Sequence, residues 1–288
     1  MRISSQMIQQ GALRSLRRGT AALSQAQQEA ATGQRVRTVS DDPVDAGQIM
    51  RLDAQLRDIS RYQRNGTWAT TRMSVEDTVI TNLRDLLQDA EKLGTSAASL
   101  PVGDPGRQSA IAAIQTLKNE ILALANTKVG EEYLFAGGNS TSPAFLPDGT
   151  YAGDSTARST EIDAGATIQT TDTGDRVFSG AFAALDGLLA QLRTGDTAGV
   201  QGAAAAVSSA STQALSVQST LGARMSQIKD VATALARTAV SVANQRDGLR
   251  NVDSAEAAVK LTTAQTALQQ AYAVVSKVLS VNLVDYLK

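Results

Sequence analysis

The residues best able to do chemistry in this chain are two groups of carboxylates. Asp148, Asp154, Asp172 and Asp175 fall among Gly149, Thr150 and Gly174, on a segment rich in turn-forming residues. Oxygen-rich loops of this kind can ligate calcium, yet no stretch places oxygen ligands at the steps of a 12-residue loop closed by Glu. Ordinary turn chemistry accounts for these aspartates with fewer assumptions. Asp41 and Asp42 stand side by side, as an acid/base pair in a hydrolase would. Because Pro43 follows them, helix capping is the simpler reading: Pro fits the first helical turn, and Asp42 can accept from the amides behind it.

Nothing else in the chain can join these carboxylates in catalysis. There is no His and no Cys, which removes the commonest general base, thiolate nucleophiles, disulfides and zinc–sulfur sites. No Gly-rich phosphate loop or dinucleotide fingerprint is present. Asn65-Gly66-Thr67 and Asn139-Ser140-Thr141 fit the glycosylation sequon, but nothing else in the sequence gives a reason to use it. The expectation is a structural protein with no catalytic residues, no cofactor and no metal.

The elements that carry these residues follow from composition and period. The chain has 288 residues, a formal net charge of −1, and 42 % hydrophobic but only 3 % aromatic residues. Ala, Leu, Val and Ile in such proportions make narrow helical stripes rather than an aromatic-filled core. Leu221, Met225, Ile228, Ala232, Leu235, Ala239, Val242 and Leu249 keep heptad spacing over about four heptads, which predicts a coiled-coil seam. Trp68, Val75, Val79, Leu86, Ala90 and Leu93 mark a face of an earlier helix over about 43–98, stopped by Pro101 to Gly106, with Asn65-Gly66 as a point where it can kink.

Six of the ten aromatics lie between Tyr133 and Phe182, along with eight of the 22 glycines from Gly130 to Gly180. Short strands are expected there, at Tyr133–Ala136, Glu161–Asp163, Thr167–Thr170 and Arg176–Phe178, with Asp148-Gly149 closing a hairpin. The predicted fold is mainly α: a long helical hairpin or coiled-coil core built from both halves of the chain, carrying a small β-rich inserted domain. Its parts are an N-terminal helical assembly segment at 1–40, helical core at 41–130 and 181–250, the insert at 131–180, and a C-terminal helical assembly segment at 251–288.

Both chain ends are amphipathic. Ile3, Met7, Leu13, Leu16 and Leu23 form a stripe diluted by Gln; Leu261, Leu268, Tyr272, Val275, Leu279 and Tyr286 form a stronger one. These are the candidate partner-binding residues, with Asp42 and Pro43 as the helix cap. A few buried side chains do not offset the backbone entropy of ordering some three dozen residues. The ends are therefore expected to order only against each other and against neighbouring copies; docking onto the chain's own helical core is the alternative. The first forty residues carry six Arg against Glu29 alone, but with no aromatics among them and a slightly acidic chain overall, a solvated face outweighs nucleic-acid binding. No run approaches the ~18 apolar residues of a membrane span, and Met1 to Gln6 lacks the apolar core of a secretory signal.

At this point the residues carry a resemblance. Met1-Arg2-Ile3-Ser4-Ser5-Gln6-Met7, Ala31-Thr32-Gly33-Gln34-Arg35-Val36 and Ser40-Asp41-Asp42-Pro43 stand at one end. Asn251-Val252-Asp253-Ser254 and Leu283-Val284-Asp285-Tyr286-Leu287 stand at the other. The chain resembles the bacterial flagellin superfamily over its whole length. Tyr133-Leu134-Phe135-Ala136-Gly137, Tyr151-Ala152-Gly153-Asp154 and Gly174-Asp175-Arg176-Val177-Phe178 are similar to its hook–filament junction branch rather than to flagellin, which is the alternative. The resemblance implies an extracellular structural subunit, exported through the flagellar type III apparatus without signal cleavage. It implies a ring of copies between the first hook-associated protein and flagellin, and a cytoplasmic export chaperone that holds the C-terminal helix beforehand.

Overall fold

The computed structural model describes residues 2–195 and 197–286, and the chain is mainly helical. Six helices and four short strands follow in the order α1 (Arg2–Thr32), α2 (Pro43–Ala97), α3 (Pro105–Ala125), β1 (Lys128–Val129), β2 (Glu132–Tyr133), β3 (Ser159–Asp163), β4 (Ala166–Gln169), α4 (Gly174–Thr194), α5 (Thr197–Arg250) and α6 (Ser254–Tyr286). The chain divides into two compact units: one holds the residues up to Asp58 and from Thr238, the other holds Ile59–Arg237. α2 and α5 contribute to both.

In the Ile59–Arg237 unit, apolar stripes of period 3.6 meet in one core. α2 supplies Met73, Ile80, Leu83 and Leu87, α3 supplies Ile114 and Ile121, and α5 supplies Val200, Val207, Val217, Leu221 and Ile228. The predicted α5 seam is the buried face of that helix, down to Leu235 and Val242. α2 continues as one helix through Asn65-Gly66. Polar pairs set the register of α2 against α5: Gln218 Nε2 donates to Asp77 and Thr81, and Arg84 donates back to Gln218. Asp104 caps α3 ahead of Pro105 by accepting from the Gly106 amide at 2.7 Å. Arg107, fully buried, ties down the chain around it by donating to the carbonyls of Leu192 and Leu100.

The strands form two separate antiparallel pairs, β1 with β2 and β3 with β4. Asp148-Gly149 does close a tight turn, joining Phe145 to Tyr151 by an isolated bridge. Tyr133–Ala136 is strand only at its first residue. Arg176–Phe178, expected as a strand, lies inside α4. Val177, Phe178, Ala181, Phe182, Leu185, Leu188, Leu189 and Leu192 all face the core at helical spacing, so period 3.6 outweighs the β-propensity of three residues. The aromatics form a knot rather than a sheet core: Phe178 meets Phe135 edge-on at 4.9 Å, and Phe145 lies 5.2 Å from both Tyr151 and Phe182. Gly174 begins α4 beneath this knot; a Cβ there would sit 2.7 Å from the Phe145 ring.

A buried ionic network joins the strand-bearing segment to the helices. Asp172, 1 % exposed, takes Arg224 of α5 and Arg176 of α4. Arg72 of α2 pairs with Glu132, which also takes Arg158. Glu76, fully buried, accepts from the Asp172 amide at 2.9 Å. Loss of solvent pushes its carboxyl up to about 8, and the Asp172 charge adds to this while its amide and Arg224 oppose it.

Candidate assembly surface and its joint

α1 and α6 pack side by side. On α1, Ala12, Leu16, Gly19, Leu23, Ala26 and Glu29 turn inward; on α6, Ala257, Leu261, Ala264, Leu268, Ala271 and Val275 do so. Spacings of three and four place each set on one helix face. The face is shallow: only Ala26, Glu29 and Ala257 are buried, and the large residues remain half-buried. Gln25 donates to Glu29, and Lys260 of α6 lies 3.7 Å from the same carboxylate, which fixes the register of the pair.

The structure divides the predicted stripes. Leu16, Leu23, Leu261, Leu268 and Val275 face the companion helix, whereas Met7 (68 % exposed), Leu13 (50 %) and Tyr272 (53 %) point outward. The side chains of Ile3, Leu279 and Tyr286 lie outside the described residues. Val259 and Val274, absent from the predicted stripe, are exposed as well. At 100° per residue these outward side chains stand at several angles around their helices, not in a single row.

Below this pair, the two helix breaks are laced together. α1 ends at Thr32, and Gly33 takes a left-handed φ of 68°, a conformation that costs a side-chain-bearing residue energy. The chain then runs alongside the end of α5. The amides of Arg35 and Val36 donate to the Arg250 carbonyl at 2.7 and 3.2 Å, and the Val252 amide donates to Gly33 at 2.9 Å. Val36, Ala46 and Ile49 form a small core here, with Leu249 packed against it.

The Asp42 Oδ1 accepts from the Val44 and Asp45 amides at the start of α2, with Pro43 the first helical residue. These amides, and then Arg35, hold the Asp42 carboxyl below its ordinary range. Arg35, which sequence reasoning did not single out, connects everything at this level. Its guanidinium donates to Asp45, to Asp42 at 3.1 Å and to the Leu249 carbonyl at 3.0 Å. Arg250 and Arg246 both reach Asp53 of α2. Partners some 200 residues away leave no local signal; the Thr32-Gly33-Gln34-Arg35 motif was the only pointer.

Asp148 and Asp154 have structural occupations, as Asp172 does in the ionic network, while Asp175 lies in the first turn of α4. Asp148 accepts from the Thr150 amide and Asp154 from the amides of Gly138 and Thr156. Among the described residues, no group of three or more acidic, His or Cys side chains is placed to hold a metal ion. Among them, too, no helix is long and apolar enough to cross a membrane.

Two sequence families match this architecture at its two ends. The bacterial flagellin N-terminal helical region matches residues 3–140, and the bacterial flagellin C-terminal helical region matches residues 204–287. The chain belongs to the flagellin family. It is 28 % identical to flagellar hook-associated protein 3 of Escherichia coli, over 94 % of this chain and 95 % of that protein. The Salmonella typhimurium protein of the same name is 25 % identical over the same shares. A hook-associated protein from Vibrio parahaemolyticus shares the fold at TM-score 0.68 with 19 % identity, covering 73 % of this chain and all of that one. The flagellar junction protein of Legionella pneumophila does so at 0.58 with 18 % identity, covering 70 % and 99 %.

Proposed function

We propose that this chain is the structural subunit of the flagellar hook–filament junction. It forms a ring of copies whose hook side meets the first hook-associated protein and whose filament side meets flagellin. The relatives' shared name, over nearly the whole chain, favours this over the filament subunit itself. The segments 1–40 and 251–288 carry the assembly, 41–130 and 181–250 the helical layer around it, and 131–180 the outer insert. Before export, without a cleaved signal peptide, a cytoplasmic chaperone covers the C-terminal helix; the assembled ring lies outside the cell.

The observation that carries this reading is the α1–α6 pair. It hides little apolar area between its own helices and leaves Met7, Leu13, Val259, Tyr272 and Val274 in water at several angles. One partner would cover one stripe; side chains around the whole pair suit a lattice in which every subunit has several neighbours. Leu16, Leu23, Leu261, Leu268 and Val275 then pair the two ends.

The test is incorporation. In cells lacking their own junction protein, the tagged chain should appear at the base of the filament and restore motility. Flagella that grow without it, or a chain distributed along the filament, would overturn the assignment.

A further inference from the structure

We propose that Arg35 is the positioning residue of the joint: it fixes the direction in which the α1–α6 pair leaves the paired ends of α2 and α5. The inference rests on the junction reading for its consequence, and on geometry alone for the lock. Both chain connections, 33–42 and 251–253, cross at one level. A helix pair joined to its stem by two short links at the same height would pivot there unless something spans the links. The amides of Arg35 and Val36 tie the first link to the last residue of α5, and the Val252 amide ties the second link to the first. The Val36 side chain packs the first link against Ala46 and Ile49 of α2 and Leu249 of α5; the Arg35 side chain adds directional polar bonds from the same link to the start of α2 and the end of α5 at once.

The chemistry suits arginine specifically. The last turn of α5 presents a carbonyl carrying the negative end of the helix dipole, and the first turn of α2 carries Asp42 and Asp45. One cation therefore answers three negative groups, and the planar guanidinium has enough donors to reach all three. A lysine ammonium supplies the charge without the fork. Through its neighbouring carboxylates, first Asp45 and then Asp42, the site strengthens Arg35's hold on its proton. Held in this way, Met7, Leu13 and Tyr272 meet neighbouring subunits at one fixed angle in every copy, as a closed ring requires.

The chain's lack of cysteine allows a clean test. Spin labels on Ser24→Cys in α1 and Gln55→Cys in α2, both exposed, report the spread of distances across the joint. In the Arg35→Ala background, the width of that distribution should at least double while helicity by circular dichroism stays at the parent level. Incorporation into flagella should fall at least tenfold, with Arg35→Lys between the two. An unchanged width in Arg35→Ala, or a doubled width with full incorporation, would overturn the proposal. Failure of the unlabelled parent to incorporate would instead overturn the junction reading, and the distance widths would still decide whether Arg35 locks the joint.

Discussion

Gly19 of α1 lies directly against Leu268 of α6: a Cβ at position 19 would stand 3.2 Å from the leucine Cδ1. The two helices approach this closely because Gly19, Ala12, Ala26, Ala257, Ala264 and Ala271 keep the shared face thin. Gly19→Leu should force them apart, at about 1–3 kcal/mol typical of overpacking. Faster amide exchange over 254–275, with the Ile59–Arg237 unit unchanged, would register it. Protection equal to that of the parent would show that α1 and α6 do not pack through this pair.

Leu13→Glu and Tyr272→Glu should leave the monomer's stability within about 0.5 kcal/mol, since both side chains are exposed. Both should abolish incorporation. Leu268→Glu should do both things, opening the α1–α6 pair and blocking assembly. Urea unfolding and sedimentation of assembled flagella separate the two classes; incorporation of Tyr272→Glu at parent level would remove Tyr272 from the assembly surface.

Glu76 makes stability fall with rising pH. Its carboxyl is pushed up to about 8 in the folded chain against an ordinary value of 4.5. Between those values the folded state holds a proton that the unfolded state has released, so stability declines from about pH 4.5 and levels off above about 8. Urea midpoints at pH 5, 7 and 9 should decrease in the parent and lose that slope in Glu76→Gln. Below pH 4 the sign reverses: Asp41, Asp42 and Asp154 are held under the ordinary 3.8 by backbone amides, so protonating them removes stability.

Phe178 is fully buried with its ring edge-on to Phe135. Phe178→Ala should cost about 3–5 kcal/mol and release the loops around Phe145 and Tyr151 from the start of α4. Denaturant unfolding followed by hydrogen exchange over 134–154 measures both effects. A loss below 1 kcal/mol would mean that the knot is not what holds these loops.

The long helices were legible because their signals are local or periodic: the Asp42-Pro43 cap, the heptads from Leu221 to Leu249, and the stop at Pro101. The α1 and α6 stripes were legible only as apolar. Heptad spacing says which residues share a face, but not how much of that face one companion helix covers, so Met7, Leu13 and Tyr272 were grouped with Leu16 and Leu268. Phe178 is helical because the period that continues to Leu192 outweighs the β-propensity of the three-residue window Arg176–Phe178. Arg224 and Glu76 leave no trace in the sequence, since an ion pair across 52 residues or a hydrogen bond across 96 has no spacing rule; Arg35 shows only as part of a motif, because its bond to the Leu249 carbonyl spans 214 residues.

The β3–β4 hairpin turns at Ala164-Gly165, both exposed, and a Cβ built on Gly165 meets nothing within 4 Å. The aromatic knot and the Asp172 charges anchor the same segment at its base, away from this tip. Foreign peptide spliced between 164 and 165 should therefore ride on the molecule as passive cargo. Every ring that accepts such a subunit would then display an epitope, a fluorophore or an affinity handle without any change to the contacts that build it.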